Sequence, residues 1–433
     1  MNDLDEPEIN GIYLTMLKRW YDSSVYRFWH RGLMRSGMVT GLIVALLAGA
    51  LYIAYREQGH GNLHKLKAKI APVSVEAPVA RPGGQEAIKL TRSRRMDGSL
   101  PEFLSVTMLP GRGMNLLQIV AYIPGRGEVN LLASPSVEQA ATAMTGTGDD
   151  AGGQASEAMG GAFELPWAGQ IAETTSSASA QATWRSHTIT IPSSQSRGGL
   201  LLAEASDSVS TMAMMDGGQA QAVFHAQDFG ALWPSKTDVT VTVMLGNQWI
   251  DLSVVARNVG DQPEPVGIGW HPRFLVDSEN RAQMRLRIVA AMREEMRPTG
   301  RAPTGRLIST AASAYDFNRS GGVALGSTSL NDSFLALHSQ QLSNEPAAEL
   351  RDPASGYGLR LATLSPTIHA LHVEAPRDGG FVSISPQYNV DDPFGREWAP
   401  GTETGIVVLN PGQSTQWRVR LELFSLLGGR TAE

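Results

Sequence analysis

His271 is the residue of this sequence best suited to proton transfer. A histidine gives or takes a proton near neutral pH, which suits general acid–base catalysis. Pro272 follows it, and the stretch 258–274 is rich in proline and glycine, so the backbone around the ring is restricted and sets its direction. A structural loop histidine is the alternative interpretation.

A second group of candidates lies in the segment 388–398, Tyr-Asn-Val-Asp-Asp-Pro-Phe-Gly-Arg-Glu-Trp. It supplies the carboxylates of Asp391, Asp392 and Glu397 beside an arginine and three aromatic rings. Aromatic faces stack on the C–H surface of a sugar and charged groups bind its hydroxyls, so this composition suits carbohydrate binding. An acidic surface turn, with Asp391 paired to Arg396, is the alternative. Two adjacent aspartates are too few ligands to predict a metal site, and we expect none.

The elements that must position these residues are short strands. From residue 88 onward, runs in which apolar and polar residues alternate are separated by Gly, Pro, Asn and Asp. The longest run, 239–257, contains Gly246-Asn247 as a turn signal and predicts a hairpin. Further runs lie at 104–109, 116–123, 187–191, 284–291, 381–385, 405–409 and 417–424. This pattern predicts an all-β sandwich or barrel, with flexible loops or insertions at 144–161 and 173–183, which are rich in Gly, Ala, Ser and Thr.

The stretch around His271 resembles the aldose 1-epimerase (galactose mutarotase) family. The residues that carry the resemblance are Asn258, Pro265, Gly267, Gly269, His271, Pro272 and Phe274, with Arg273 in place of the usual tyrosine. The resemblance extends over about residues 88–427. It implies a large antiparallel β-sandwich with a sugar site on one concave face, and it gives His271 the role of general acid.

The expected general base is replaced in this sequence. The segment Phe-Val-Ser-Ile-Ser-Pro-Gln at 381–387 resembles the family's F-x-x-E-P-Q, with Pro386 and Gln387 matching and Ser385 at the glutamate position. A serine hydroxyl has no useful basicity near pH 7 unless another group activates it. Asp391, Asp392 or Glu397 would have to serve as the base.

Other positions of the resemblance suggest substrate contacts. Asp332 in Leu-Asn-Asp-Ser-Phe matches an aspartate that binds sugar hydroxyls, although a turn or cap aspartate is the alternative. Trp167 and Gln170 lie in a segment resembling P-aromatic-A-N-R-I, with Gly169 and Gln170 replacing Asn and Arg. Arg197 replaces a second histidine; it cannot exchange protons but could bind a carboxylate or phosphate. Ser385 and Gln387 complete the predicted substrate-binding set.

Composition excludes several classes of function. The 433-residue chain has a net charge of −6, which gives no reason to expect nucleic acid, and it has no cysteine for a disulfide, thiolate metal site or thiol nucleophile. No nucleotide-binding or zinc-protease motif is present, and we expect no cofactor. His225, His338, His369 and His372 show no metal-ligand spacing and are expected to be structural or exposed.

Residues 37–55 contain no charged side chain and are flanked by Arg35 and Arg56. At about 1.5 Å per residue this length nearly spans a bilayer core, which predicts one N-terminal transmembrane helix, whereas a buried soluble helix is the alternative. The predicted organisation is a cytoplasmic segment 1–36, a membrane helix 37–56, a linker 57–87, the β-sandwich domain 88–427 and a tail 428–433. Basic residues favour an inside N-terminus only weakly. We therefore expect a single-pass inner-membrane protein with a periplasmic domain.

The sequence leaves three functions open. The first is a membrane-anchored mutarotase acting on a sugar. The second is a related domain that binds a sugar or polysaccharide without turnover. The third is a structural subunit whose aromatic and basic N-terminal segment contacts a membrane protein partner.

Overall fold

The computed structural model describes residues 45–49, 52, 79–94, 98–145, 153–171, 179–277, 279–298, 302–337 and 346–426. Residues 1–36, most of the predicted span 37–55 and residues 57–78 of the predicted linker lie outside this set, as do His338, residues 146–152 and 173–178 of the two predicted loops and the predicted tail 428–433. Among the described residues, no helix combines the length and apolar character needed to cross a membrane. The chain divides into two compact units, residues 1–78 and 79–433, of which the second is described below.

The second unit is built mainly from antiparallel strands. The two α-helices in its described part are short: α1 (Val137–Ala143) and α2 (Gln154–Glu157). Single 3₁₀ turns lie at Pro82–Gly84, Ser193–Gln195, Leu201–Ala203 and Arg281–Gln283. The strands are β1 (Ile88–Thr91), β2 (Glu102–Leu109), β3 (Asn115–Ile123), β4 (Gly127–Asn130), β5 (Gly161–Glu164), β6 (Ser179–Trp184), β7 (His187–Pro192), β8 (Ser208–Met214), β9 (Gly217–Gln227), β10 (Thr237–Leu245), β11 (Trp249–Asn258), β12 (Glu264–Val266), β13 (Gly269–Leu275), β14 (Arg285–Ile288), β15 (Ala290–Met296), β16 (Pro303–Ser309), β17 (Val323–Ala324), β18 (Leu330–Leu337), β19 (Ala348–Asp352), β20 (Tyr357–Thr363), β21 (Ala370–Ala375), β22 (Phe381–Gln387), β23 (Val407–Leu409) and β24 (Ser414–Ser425).

Two large sheets make up the sandwich. The first has eleven strands in the order β1-β2-β3-β5-β13-β22-β21-β18-β15-β16, with β4 paired to β3. The second has nine, in the order β17-β14-β19-β20-β24-β11-β10-β9-β8, and the pairs β12-β23 and β6-β7 form two small sheets. The all-β antiparallel sandwich expected from the sequence is confirmed.

The hairpin of β10 and β11 shows how the sequence pattern forms the core. Val239, Val241 and Val243 alternate with half-buried residues, and each is fully buried in the hydrophobic core. Residues of β11 pair with them in register, and Gly246-Asn247 lies in the predicted turn. Full burial of one such aliphatic side chain contributes about 1.5–3 kcal/mol, so the alternation fixes which face of the hairpin turns inward.

Two sequence predictions differ from the observed elements. The run 284–291 is not one strand, because β14 pairs with β19 in the nine-stranded sheet and β15 pairs with β18 in the eleven-stranded sheet. The chain therefore changes sheets at Val289. The segment 173–183, expected to be a loop, includes most of β6, whose backbone pairs with β7. The first difference depends on partners distant along the chain, whereas β6 pairs with the strand that follows it two residues later, and its composition, rich in Ala, Ser and Thr, did not indicate a strand.

The central strands of the larger sheet have one apolar and one polar face. In β22, Val382 and Ile384 join the hydrophobic core, whereas Ser383, Ser385 and Gln387 turn to the opposite side. Since side chains alternate along a strand, the neighbouring strands β13, β21 and β18 each contribute polar residues to that same side. This polar face carries the candidate site.

Candidate functional site

A row of polar side chains crosses the polar face of the larger sheet. Ser333 of β18 stands opposite His372 of β21, and His372 stands opposite Ser385 of β22. On β13, Gly269 and Arg273 pair with Gln387 and Ser383, so His271, midway between them, stands opposite Ser385. Two imidazoles thus flank one small hydroxyl on adjacent strands. The cleft above this row is lined by Glu164, Gly169, Gln170, Arg197, His271, Met296, Pro303, Asn331, His372, Gln387, Asp391 and Asp392.

Two serine hydroxyls contact Nδ1 of the His271 ring. Its Nδ1 lies 3.0 Å from the Ser385 hydroxyl oxygen and 3.3 Å from that of Ser383, and the two hydroxyl oxygens are 3.0 Å apart. Its Nε2 lies 3.8 Å from Glu374 Oε2. Burial, followed by the positive charges of His372, Arg197 and Arg273, holds the pKa of His271 well below its usual range. His271 is therefore a neutral imidazole at pH 7.

Glu164 is the second titratable group on this side of the cleft. Ala162 of β5 stands opposite His271, and Glu164 follows two residues later on the same face. Such diagonal neighbours have Cα atoms about 7–8 Å apart. Burial and the nearby charge of Glu157 raise the pKa of Glu164 to about 8, against the opposing effects of Gly169 N–H, Arg197 and His372. The carboxyl is therefore mostly protonated at pH 7 and accepts the Gly169 N–H at 3.1 Å.

His372 and Asp391 are in direct contact at the other side of the cleft. Nδ1 of His372 lies 3.3 Å from Asp391 Oδ2, and Ser333 donates its hydroxyl to the same oxygen at 3.0 Å. Burial alone would lower the pKa of His372, but the charge and hydrogen bond of Asp391 outweigh it and raise this pKa overall. The pKa of Asp391 is lowered: burial opposes this, and His372, Ser333 and Arg197 outweigh it.

Several predicted site residues meet in this cleft. His271, Asp391, Arg197, Gln170 and Gln387 line it, and Ser385 lies on its floor against His271. Gln170 and Arg197 are brought together by an isolated strand bridge between their backbones. Arg197 is paired with Glu157, whose Oε1 lies 3.3 Å from its Nε.

Asp332 lies on the wrong face of its strand for the predicted role. Side chains alternate along β18, so Asp332 shares a face with Leu330 and Phe334 and not with Ser333. Its Oδ1 accepts from Arg293 at 2.9 Å, so this aspartate is part of an ion pair outside the cleft lining. The cleft residue of this segment is its neighbour Asn331.

Trp167 and Glu397 also lie outside the cleft lining. The Trp167 side chain is fully buried, packs against the Trp233 ring at 5.5 Å and donates to the backbone oxygen of Ser196, so it belongs to the core. The carboxylate of Glu397 lies beside Gly395, in the turn that precedes Trp398. Neither residue supports the contact predicted for it.

Glu164 and Asn331 are cleft residues that were not predicted, and His372, which was expected to be structural or exposed, also lines the cleft. A weak signal exists for Glu164, because it is the one charged residue in the apolar run Gly-Ala-Phe-Glu-Leu-Pro-Trp at 161–167. His372 lies two residues from both Ala370 and Glu374, which places the three on one face of a predicted strand. The sequence does not indicate which residues of other strands lie beside that face. Only the register of the three strands β13, β22 and β21 shows that His372 and His271 share a cleft.

Residues 209–422 match the family model for aldose 1-epimerase. This match begins in β8 and ends in β24, and it includes His271, His372, Ser385 and Asp391 but not Glu164 or Arg197. No curated protein matches the sequence.

Solved structures with a similar fold are galactose mutarotase-like. A galactose mutarotase-like protein from Clostridium acetobutylicum has a TM-score of 0.62 at 14% identity, over 78% of this chain and 95% of that chain. An aldose epimerase homologue from C. elegans has a TM-score of 0.57 at 14% identity, over 78% and 99%. A galactose 1-epimerase from Lactobacillus acidophilus has a TM-score of 0.55 at 16% identity, over 78% and 98%. At these identities the likeness establishes the fold of this chain.

Proposed function

We propose that this protein interconverts the anomers of an aldose in the cleft, with His271 and Glu164 as its proton-transfer pair. The observation that carries the proposal is that a neutral imidazole and a protonated carboxyl line one cleft from neighbouring strands. Mutarotation requires one base and one acid across a sugar. The aldose 1-epimerase match over residues 209–422 supports the same reaction class.

The reaction needs only one proton shared between the two groups. His271 removes the proton from the anomeric hydroxyl, the bond between the anomeric carbon and the ring oxygen breaks, and Glu164 gives its proton to the ring oxygen. After rotation about the first carbon–carbon bond, the steps reverse and close the ring with the other configuration. The general acid role that the resemblance implies for His271 becomes a base role here, since both groups are buried and the proton resides on the carboxyl.

Polar side chains around the pair hold the remaining hydroxyls. Gln170, Asn331 and Gln387 line the cleft, and the buried Gln387 Oε1 has no hydrogen-bond partner among the described residues. An unpartnered buried acceptor costs about 1–3 kcal/mol, which a ligand hydroxyl would offset. Fixing the sugar in one orientation lowers the entropic part of the barrier.

The test is polarimetry of freshly dissolved α-glucose and α-galactose with the full-length protein. We expect the optical rotation to reach equilibrium faster than in buffer alone for at least one aldose. Glu164→Gln and His271→Asn should each lower this rate about 10²–10⁴-fold, the usual contribution of a positioned acid or base.

The matched control for Glu164→Gln is Glu264→Gln. Glu264 is also a fully buried glutamate, and burial raises its pKa to about 7, but it lies on β12 and hydrogen-bonds Thr237. His225→Asn is the control for His271→Asn, since His225 is exposed on β9 and pairs with Asp238. Rates that fall equally in the control variants would contradict the assignment of the pair.

A carbohydrate-binding protein without turnover is the second candidate. Ser385 occupies the position where the resemblance places a glutamate base, and its hydroxyl is used in hydrogen bonds to His271 and Ser383. Titration calorimetry that detects binding of a sugar or polysaccharide, with no acceleration in the polarimeter, would favour this function over the first.

The location we propose is the inner membrane, with residues 37–55 as a single-pass anchor in the bilayer and the β-sandwich in the periplasm. The support is the run of 19 uncharged residues in the sequence. A membrane protein partner of the N-terminal segment 1–36 is part of the same proposal. Protease accessibility of the β-sandwich in right-side-out and inverted membrane vesicles tests the orientation, and extraction of the protein by carbonate would contradict the anchor.

A further inference from the structure

We propose that His372 is an imidazolium at neutral pH that acts as a positioning residue: it fixes Asp391 and Asn331 at the cleft wall and adds its charge to the burial that keeps His271 neutral. The charge of His372 is inferred from its hydrogen bonds and does not depend on the proposed function. The effect of His372 on catalysis does depend on the proposed function.

The hydrogen bonds of His372 leave no lone pair on its ring. Nδ1 lies 2.9 Å from the Ser333 hydroxyl oxygen, and Ser333 donates its own hydrogen to Asp391 Oδ2. The Ser333 oxygen must therefore accept from Nδ1. Nε2 lies 3.1 Å from the side-chain carbonyl oxygen of Asn331, which is also an acceptor. An imidazole that donates through both nitrogens carries two hydrogens and a positive charge.

The surroundings of His372 favour that charge. Asp391 Oδ2, 3.3 Å from Nδ1, is the nearest carboxylate, and the pKa of His372 is raised overall although burial opposes this. The charged and titratable groups that act on His372 or feel its charge come from its own strand, from β5, β13 and β18, and from two loops: Glu374, Glu164, His271, Asp332, Arg197 and Asp391. The negative groups outnumber the positive ones around this ring.

The ion pair also fixes two groups that face a ligand. Oδ2 of Asp391 is held by His372 and Ser333, which turns Oδ1 toward Gly169, where it would stand 2.5 Å from an added Cβ. Gly169 is thus required for this carboxylate to lie at the cleft wall. The carbonyl oxygen of Asn331 is held by Nε2, so its amide nitrogen is the group left for a hydroxyl in the cleft.

The charge also acts on the proposed base. His372 and His271 stand on either side of Ser385, two strand spacings or about 10 Å apart. A positive charge at that distance in a buried cleft disfavours a second one, and the positive charge of His372 contributes to the lowered pKa of His271. His372 therefore affects the proton of His271 without exchanging a proton with the substrate.

The experiment is an ¹⁵N spectrum of histidine side chains in the ¹⁵N-histidine-labelled full-length protein between pH 5.5 and 8.5, with His372 assigned by His372→Gln. We expect both His372 nitrogens to be protonated at pH 7.5, where an unperturbed histidine is only about 10% protonated. His271 should be neutral across this range, and its titration is followed by extending the spectra to pH 4. A neutral His372 at pH 7.5 would overturn the proposal and would mean either that Ser333 donates its hydroxyl to Nδ1 or that Asn331 presents its amide nitrogen to Nε2.

Two variants sharpen the result. Asp391→Asn should make His372 neutral at pH 7.5, whereas the matched control Asp238→Asn should change only His225, whose Nδ1 lies 2.8 Å from Asp238. His372→Gln removes a positive neighbour, so the titration of His271 should move to higher pH. An unchanged His271 titration would refute the coupling, even if Asp391→Asn fails to fold.

These spectra require no sugar. A protein without epimerase activity that shows a charged His372 would refute the proposed function and leave this inference standing. A protein with epimerase activity and a neutral His372 would do the reverse. In an active protein, His372→Gln should shift the acidic limb of the rate profile to higher pH, which a merely structural role would not do.

Discussion

Each side of the cleft holds one carboxyl group and one imidazole, but both groups are neutral on one side and both are ionised on the other. On β5 and β13, Glu164 and His271 are a protonated carboxyl and a neutral imidazole. On β21 and the loop after β22, His372 donates through both ring nitrogens as an imidazolium, and Asp391 beside it is a carboxylate.

The difference arises from the hydrogen-bond partners of each group. Asp391 Oδ2 accepts a hydrogen bond from the Ser333 hydroxyl and lies beside the imidazolium of His372. These two contacts stabilise its negative charge in the buried cleft. Glu164 receives one backbone N–H and lies near the charge of Glu157, so burial favours its neutral form. Burial without sufficient donors protonates a carboxyl, whereas burial with them preserves its charge. One cleft can thus hold a movable proton on one side and a fixed ion pair on the other.

The largest expected effect concerns the movable proton. If His271 and Glu164 act as one unit, the double variant His271→Asn/Glu164→Gln should be no slower than the worse single variant, about 10²–10⁴-fold below wild type. Polarimetric rates of the three variants measure this. Losses that multiply in the double variant would show two independent contributions.

The next effect concerns the fixed ion pair. Asp391→Ala removes the carboxylate that stabilises the buried imidazolium of His372, which then loses its proton, and removal of one member of a buried pair costs about 3–5 kcal/mol of the free energy of unfolding. Denaturant unfolding at pH 6 measures the loss. Asp238→Ala removes the partner of the exposed His225 and should change stability little. Equal losses in both variants would contradict the difference between a buried and an exposed pair.

Gly169→Ala tests how closely the ion pair approaches the cleft wall. Its φ of +71° strains any other residue by about 1–3 kcal/mol, and a Cβ would stand 2.5 Å from Asp391 Oδ1. Gly230→Ala has the same φ of +71° with open space around it, so it reports the strain alone. We expect Gly169→Ala to unfold at lower denaturant concentration than Gly230→Ala. Equal midpoints would place the carboxylate elsewhere.

The smallest effect is the pH dependence of the rate. The pKa of Glu164 is raised to about 8, so the proton-donating form is present below this pH and is lost above it. The rate should fall about tenfold per pH unit beyond the limb. Glu264→Gln should leave the limb unchanged, because Glu264 lies outside the cleft lining. A limb near pH 4.5 instead would identify an ionised carboxylate as the working group.

Much of the fold could be predicted because its signals are local. Alternation in 239–257, with the turn at Gly246-Asn247, predicted β10 and β11 correctly, since burial of every second residue follows from the alternation of apolar and polar neighbours. The same rule failed at 284–291, where the alternation continues although the chain changes sheets after Ile288. Which sheet a strand joins depends on partners distant in sequence.

The site could be predicted only in part. His271 and Ser385 were found because motif residues flank them, and they do meet, at 3.0 Å across 114 positions of sequence. Asp332 was misplaced because a one-residue difference on a strand moves a side chain to the opposite face, and Asn331 is the residue that lines the cleft. Trp167 matched a pattern but packs against Trp233 in the core.

By itself, the sequence determined the alternating strands and the sandwich they form, because each follows from neighbouring residues; His271, expected after a loop rich in proline and glycine, lies within β13. Tertiary structure alone decided that Glu164, His372 and Asp391 share a cleft with His271, since strand register brings them together from distant segments. It also decided their charges. A carboxyl or an imidazole takes its protonation state from its burial and its hydrogen-bond partners, and both exist only in the folded chain.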